Sequence, residues 1–184
     1  VSSSVSNVAF VDKDLDSGQL YHLVTWTAPS DQSQVTHYVL YFSTNFLGAG
    51  TRSQVGTEVV VGTNQGVMDS NTPLGSWTHV VVFTKSSLAE QTTPSSLLLT
   101  DTSSSVSHLD FVDKDLDEGE LGGAVAWVPP GDASRVSFYM VYLSTSNSGA
   151  GKSQVGGNVA VGTNELHMGA NTALAAYTHL VVYT

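Results

Sequence analysis

Asp12, Asp14 and Asp16 occupy alternate positions and run into Ser17-Gly18, and Asp113, Asp115 and Asp117 repeat the arrangement ahead of Glu118-Gly119. Carboxylates on every second residue beside a glycine can fold so that their oxygens converge, and an all-oxygen ligand set suits a hard cation such as calcium. The pattern is not an EF-hand. Its glycine falls one place late, and the twelfth position counted from Asp12 is Leu23 rather than glutamate. Aspartates in turns have a second use, since they accept hydrogen bonds from nearby backbone N–H groups. The sequence leaves both readings open, a calcium site and a solvated turn.

Little else in the chain points to chemistry. Of the six histidines, His79 and His179 occupy equivalent positions and read as packing residues in a strand. His22, His37, His108 and His167 have no histidine counterpart, and no zinc-type ligand spacing occurs. No Gly-x-Ser-x-Gly elbow marks a nucleophile. Gly48-Ala49-Gly50 and Gly149-Ala150-Gly151 read as flexible hairpins, since Gly151-Lys152-Ser153 is not followed by a helix as a phosphate cradle requires. The expectation is a protein that is not an enzyme.

The 184 residues carry 6 Lys+Arg against 16 Asp+Glu, a formal charge of −10. That balance argues against nucleic acid, whose phosphates call for lysine and arginine, and against anionic membrane surfaces. With no cysteine there are no disulfides and no thiol chemistry. No apolar run is long enough for a membrane-spanning helix, so no membrane insertion is expected. The chain opens on Val1 rather than Met, which reads as a processed product or an excerpt.

The elements that must position the acidic runs are set out twice. Phe10–Asp16 returns as Phe111–Asp117 at a shift of 101, and Ser53-Gln54-Val55-Gly56 returns as Ser153-Gln154-Val155-Gly156 at a shift of 100. A unit of about a hundred residues present twice reads as tandem domains, residues 1–101 and 102–184. Within each, short β-prone runs recur: Leu23–Trp26 and Ala124–Trp127, Val35–Phe42 and Val136–Leu143, Val59–Val61 and Val159–Val161, His79–Thr84 and His179–Thr184. Gly, Pro, Asn and Asp punctuate the gaps, and no segment has a helical stripe. The fold class expected is all-β, antiparallel sandwiches in tandem.

Val24-Thr25-Trp26-Thr27-Ala28-Pro29, its counterpart Val125-Ala126-Trp127-Val128-Pro129-Pro130, and Val35–Tyr41 resemble the second and third strands of the fibronectin type III family of immunoglobulin-like sandwiches. Leu174 with Tyr177 is similar to a shortened approach to that family's sixth strand and tyrosine corner, where the first copy has Trp77. The resemblance implies a seventh strand near Ser95–Leu99 in the first copy. The second copy stops at Thr184, the equivalent of Thr84, and is expected to lack that last strand. Two explanations follow: a window cut from a longer array, or a strand donated by another chain.

On the third strand, Tyr38, Leu40 and Phe42 are expected to point inward, leaving His37, Val39 and Tyr41 outside. Phe138, Met140 and Tyr142 take the outer places in the second copy, with Val182 among the neighbours from the sixth strand. An apolar outer face suggests a contact surface for a sister repeat, another protomer or a sugar ring. The resulting expectation is a structural repeat module of an extracellular or cell-surface fibre, filament, stalk or adhesin. Its partners would be neighbouring repeats or protomers, with calcium at the domain junctions. A pair of carbohydrate-binding modules of a secreted enzyme, recognising glycans, is the alternative.

Overall fold

The computed structural model describes residues 3–184. The chain divides into two compact units between Ser103 and Ser104. Both are all-β, and every strand pairing is antiparallel.

Unit 1 contains β1 (Ser6–Phe10), β2 (Gln19–Thr27), β3 (His37–Ser43), β4 (Arg52–Gln54), β5 (Val59–Val60), β6 (Gln65–Pro73), β7 (His79–Lys85) and β8 (Ser95–Leu98). One sheet runs β1-β2-β6, and the other β4-β3-β7-β8 with β5 also on β3. Alternation along the strands decides which side chains meet between the sheets. Val24 and Trp26 of β2 and Met68 of β6 pack with Tyr38, Leu40 and Phe42 of β3 and Val80 and Val82 of β7. The Trp26 and Tyr38 rings meet edge-on with centroids 5.3 Å apart. That geometry places ring hydrogens against a π face and adds about 1 kcal/mol to plain burial.

Unit 2 contains β9 (Ser107–Phe111), β10 (Glu120–Val128), β11 (Phe138–Ser144), β12 (Ser153–Gln154), β13 (Val159–Ala160), β14 (Glu165–Ala173) and β15 (His179–Tyr183). β9-β10-β14 form one sheet, while β12, β13 and β15 all pair with β11 in the other. The Trp127–Tyr139 contact repeats the core pair of unit 1 at 5.4 Å. The two units differ at the last strand. β7 lies between β3 and β8, and Val80–Phe83 are all buried. β15 pairs with β11 alone, and its Leu180–Tyr183 are only half-buried.

The segments Gln65–Pro73 and Glu165–Ala173 are strands that the sequence pattern does not predict. Apart from the exposed Val67 their outward positions are polar, and Gly66 and Met68, or Leu166 and Met168, face the core. The Leu166/Met168 alternation is the signal that marks β14.

Candidate functional site

The acidic run between β1 and β2 is a hydrogen-bonding hub. Asp12 is 2% exposed. Its Oδ1 accepts the N–H of Asp14 at 3.1 Å and of Tyr21 at 3.0 Å, and its Oδ2 accepts that of Thr102 at 2.9 Å. Asp14 accepts the N–H of Asp16 at 3.0 Å through Oδ1 and that of Asn71 at 3.0 Å through Oδ2. Asn71 has φ +58°, a left-handed conformation that asparagine tolerates better than most residues. Asp101 returns the contact by accepting the N–H of Gly18 at 2.9 Å. The loop thus grips both β6 and the segment that leaves β8. Asp16 is exposed at its edge.

In unit 2 the geometry repeats, with no counterpart of the Thr102 and Asp101 contacts among the described residues. Asp113 Oδ1 accepts the N–H groups of Asp115 and Gly122, both at 3.0 Å. Asp115 accepts those of Asp117 at 3.1 Å and Asn171 at 2.7 Å. The Asn171 bond, followed by that from Asp117, holds the Asp115 carboxyl below its ordinary value, because donated N–H groups favour the charged form. Asp113 is exposed where Asp12 is buried.

Among the described residues, Asp115, Asp117 and Glu120 form a group whose ligating atoms all lie within 4.8 Å of one another. Neither the expected trio Asp12, Asp14 and Asp16 nor Asp113 belongs to it. Glu120, just past the glycine turn, is a member that the alternating aspartates do not announce. The set offers carboxylate oxygens alone, which is what calcium takes.

The second candidate is the outer face of the β3 and β11 sheets. In unit 1 the chain covers that face itself. Val39 is 1% exposed and its cross-strand neighbour Phe83 2%. The Arg52 guanidinium lies 4.3 Å from the Tyr41 ring centre and 4.9 Å from that of Phe83. Glu90 closes the cluster, pairing with Arg52 at 2.8 Å and accepting the Tyr41 hydroxyl at 2.8 Å. Burial, then the Glu90 hydrogen bond, pushes the Tyr41 phenol up to about 12. His37 is half-buried and bonds to Thr36 Oγ1.

The same face of unit 2 is more open. Phe138 is 37% exposed, while Met140 and Tyr142 are half-buried. The Tyr142 hydroxyl donates to Met140 Sδ at 3.3 Å rather than to a carboxylate. Lys152 Nζ lies 3.9 Å from the Tyr183 ring centre and 5.0 Å from that of Tyr142. Gly149 lets the preceding hairpin close on Tyr183, since a Cβ there would collide with the phenol oxygen, and its φ of +82° suits glycine. Val182 does not lie on this face. It pairs with Val141, as Val82 pairs with Leu40 in the core of unit 1, so its side chain faces inward. The outer neighbours are Val181 and Tyr183, opposite Tyr142 and Met140. His79 and His179 each bond through Nδ1 to the preceding threonine hydroxyl at 2.8 Å.

Compared with known proteins, the chain matches no family model and no curated sequence.

Proposed function

We propose that this chain is a structural repeat module, part of an extracellular fibre, stalk or adhesin built from units of this kind. The observation that carries the reading is the grip of the first acidic loop on the outgoing chain. Asp12 holds Thr102 and Asp101 holds Gly18, so the connection leaving unit 1 is tied to its body rather than swinging from it. A tied connection suits a load-bearing array. The strand order β1-β2-β6 opposite β4-β3-β7-β8, and the core tryptophan on β2, support a fibronectin type III-like relationship for the repeat.

The carboxylates of unit 1 organise the backbone in this reading, and any calcium binds at Asp115, Asp117 and Glu120 in unit 2. The glycan alternative has less support. A sugar stacks on a flat, open aromatic face, whereas Tyr142 and Tyr183 meet at 86° and Lys152 already lies over both rings. A glycan array followed by NMR titration of the whole chain tests the choice. No glycan-induced shift at Tyr142 or Tyr183 is expected. Saturable shifts at those rings would overturn the structural reading in favour of carbohydrate binding.

A further inference from the structure

Unit 2 departs from unit 1 at the side of its sandwich that lies away from β15. Tyr142 pairs with Gln154 of β12 on one side and with Val181 of β15 on the other, so β12 and β15 flank β11 on opposite sides. Between β12 and β14 opens a cavity of about 320 Å³. Leu143, Gly169, Ala173 and Tyr177 all line it, where unit 1 has Phe42, Asp69, Pro73 and Trp77. Each of the four differences removes side-chain atoms from the same place. In unit 1 the Phe42 and Trp77 rings stack there, with centroids 6.2 Å apart and planes at 15°. The smaller Leu143 and Tyr177 leave room.

The lining has a defined chemistry. Leu143 and Val155 are buried and apolar, and the half-buried Tyr177 adds a ring. The other groups are neutral. Gln154 gives one amide N–H to Asn158 Oδ1 at 3.1 Å, which leaves its second N–H and its carbonyl oxygen for a ligand. Thr172 Oγ1 donates to Gly169 O at 2.6 Å, so it meets a ligand as an acceptor. Ser153 brings a further hydroxyl. Among the described residues no lysine, arginine, aspartate or glutamate lines the space, and the exposed His167 at its rim is paired with Glu165 at 3.0 Å. A charged ligand would lose hydration there without meeting an opposite charge. A wholly apolar one would leave the amide and hydroxyls unpaired. A compound with a face of C–H groups and a rim of neutral hydroxyls meets both demands.

We propose that this cavity is a saccharide subsite that takes one neutral pyranose ring. The C–H face of the sugar lies against Tyr177 and Leu143, and its hydroxyls bond to Gln154, Thr172 and Ser153. The volume is at the small end of ligand sites, which suits a single ring. The site is separate from the outer aromatic face, because Leu143 and Tyr142 are consecutive on β11 and point to opposite sides of the sheet. It adds a ligand to the repeat and is independent of whether the repeat forms an array.

The test titrates the whole chain with the methyl glycosides of glucose, galactose, mannose and N-acetylglucosamine, followed by amide and aromatic NMR shifts. At least one binds saturably, with Kd on the order of 1 mM for so small a ligand. It moves Thr172 and Tyr177 and leaves the Tyr142 and Tyr183 rings unshifted. Tyr177→Ala weakens binding at least about tenfold by removing the ring. Leu143→Phe together with Tyr177→Trp installs the pair that unit 1 accommodates. That double variant refills the cavity and abolishes binding, while unit 2 still unfolds cooperatively. Glucuronic acid and glucosamine, each carrying a charge, bind at least about tenfold more weakly than their neutral counterparts. Tighter binding of an oligosaccharide than of its monomer identifies a glycan chain as the source, and equal binding a free sugar. No saturable shift with any of the four glycosides would overturn the proposal. So would equal or tighter binding of the charged sugars, or binding retained by the folded double variant. Concentration-dependent shifts at Thr172 and Tyr177 without sugar would also overturn it, by seating a second copy of the chain there. None of these failures touches the array reading.

Discussion

Replacing Asp12 by asparagine separates a backbone clamp from a merely polar turn. The amide oxygen of the new side chain can still accept the N–H groups of Asp14 and Tyr21, which both converge on Oδ1. The NH2 group then takes the place of Oδ2 and faces the N–H of Thr102, donor against donor. One charge-assisted bond is lost, a cost of about 1.5–3 kcal/mol. Asp12 is 2% exposed, so little of that loss is recovered from water. Unit 1 is expected to lose roughly 2–3 kcal/mol, or about 8–24 °C in Tm for a domain of this size. Asp113→Asn is the internal control. Asp113 is exposed, and the N–H groups of Asp115 and Gly122 both meet its Oδ1, so the loss should stay within about 1 kcal/mol. Thermal unfolding resolved by unit, with amide exchange at Thr102, measures both. Equal losses in the two variants, or unchanged exchange at Thr102 in Asp12→Asn, would refute the reasoning.

Three further outcomes follow. Tyr38 donates to Gln32 at 3.1 Å, whereas the buried Tyr139 hydroxyl has no partner among the described residues, Ala133 standing where unit 1 has Gln32. Tyr38→Phe should therefore cost about 1 kcal/mol and Tyr139→Phe should be neutral or stabilising, read from the two unfolding transitions. The Asp115 carboxyl is held below its ordinary value, so its folded form releases a proton more readily than its unfolded form. Its contribution is present above the unfolded value and lost as pH falls through the folded one, so Asn171 amide protection should hold at neutral pH and fail only in acid. Calcium at millimolar levels should shift the resonances of Asp115, Asp117 and Glu120 and leave Thr102 exchange unchanged. Calcium-dependent protection at Thr102 instead would place the ion in unit 1.

The repeat, the all-β class and the inward side chains of β3 are legible in the sequence, because Tyr38, Leu40 and Phe42 alternate against the more exposed His37 and Tyr41. The parity of β7 and β15 is not. Val80–Phe83 are apolar on both faces, so only the register Leu40↔Val82 and Val141↔Val182 shows which side chains face inward. β6 and β14 stay hidden because a strand with one polar face and a glycine or asparagine in it resembles a loop. The acidic runs are visible as residues but not as a function. Whether a carboxylate meets a cation or an N–H depends on what folds over it. Thr102 and Asn71 lie 90 and 57 residues from the aspartates they bind.

The most direct measurement is cryo-electron microscopy of the protein in its native assembly. Continuous rods with an axial repeat of one unit, and protein density along the outer edge of β15 in every copy, are the result expected of a structural array. Discrete two-unit particles with that edge open to solvent would contradict it.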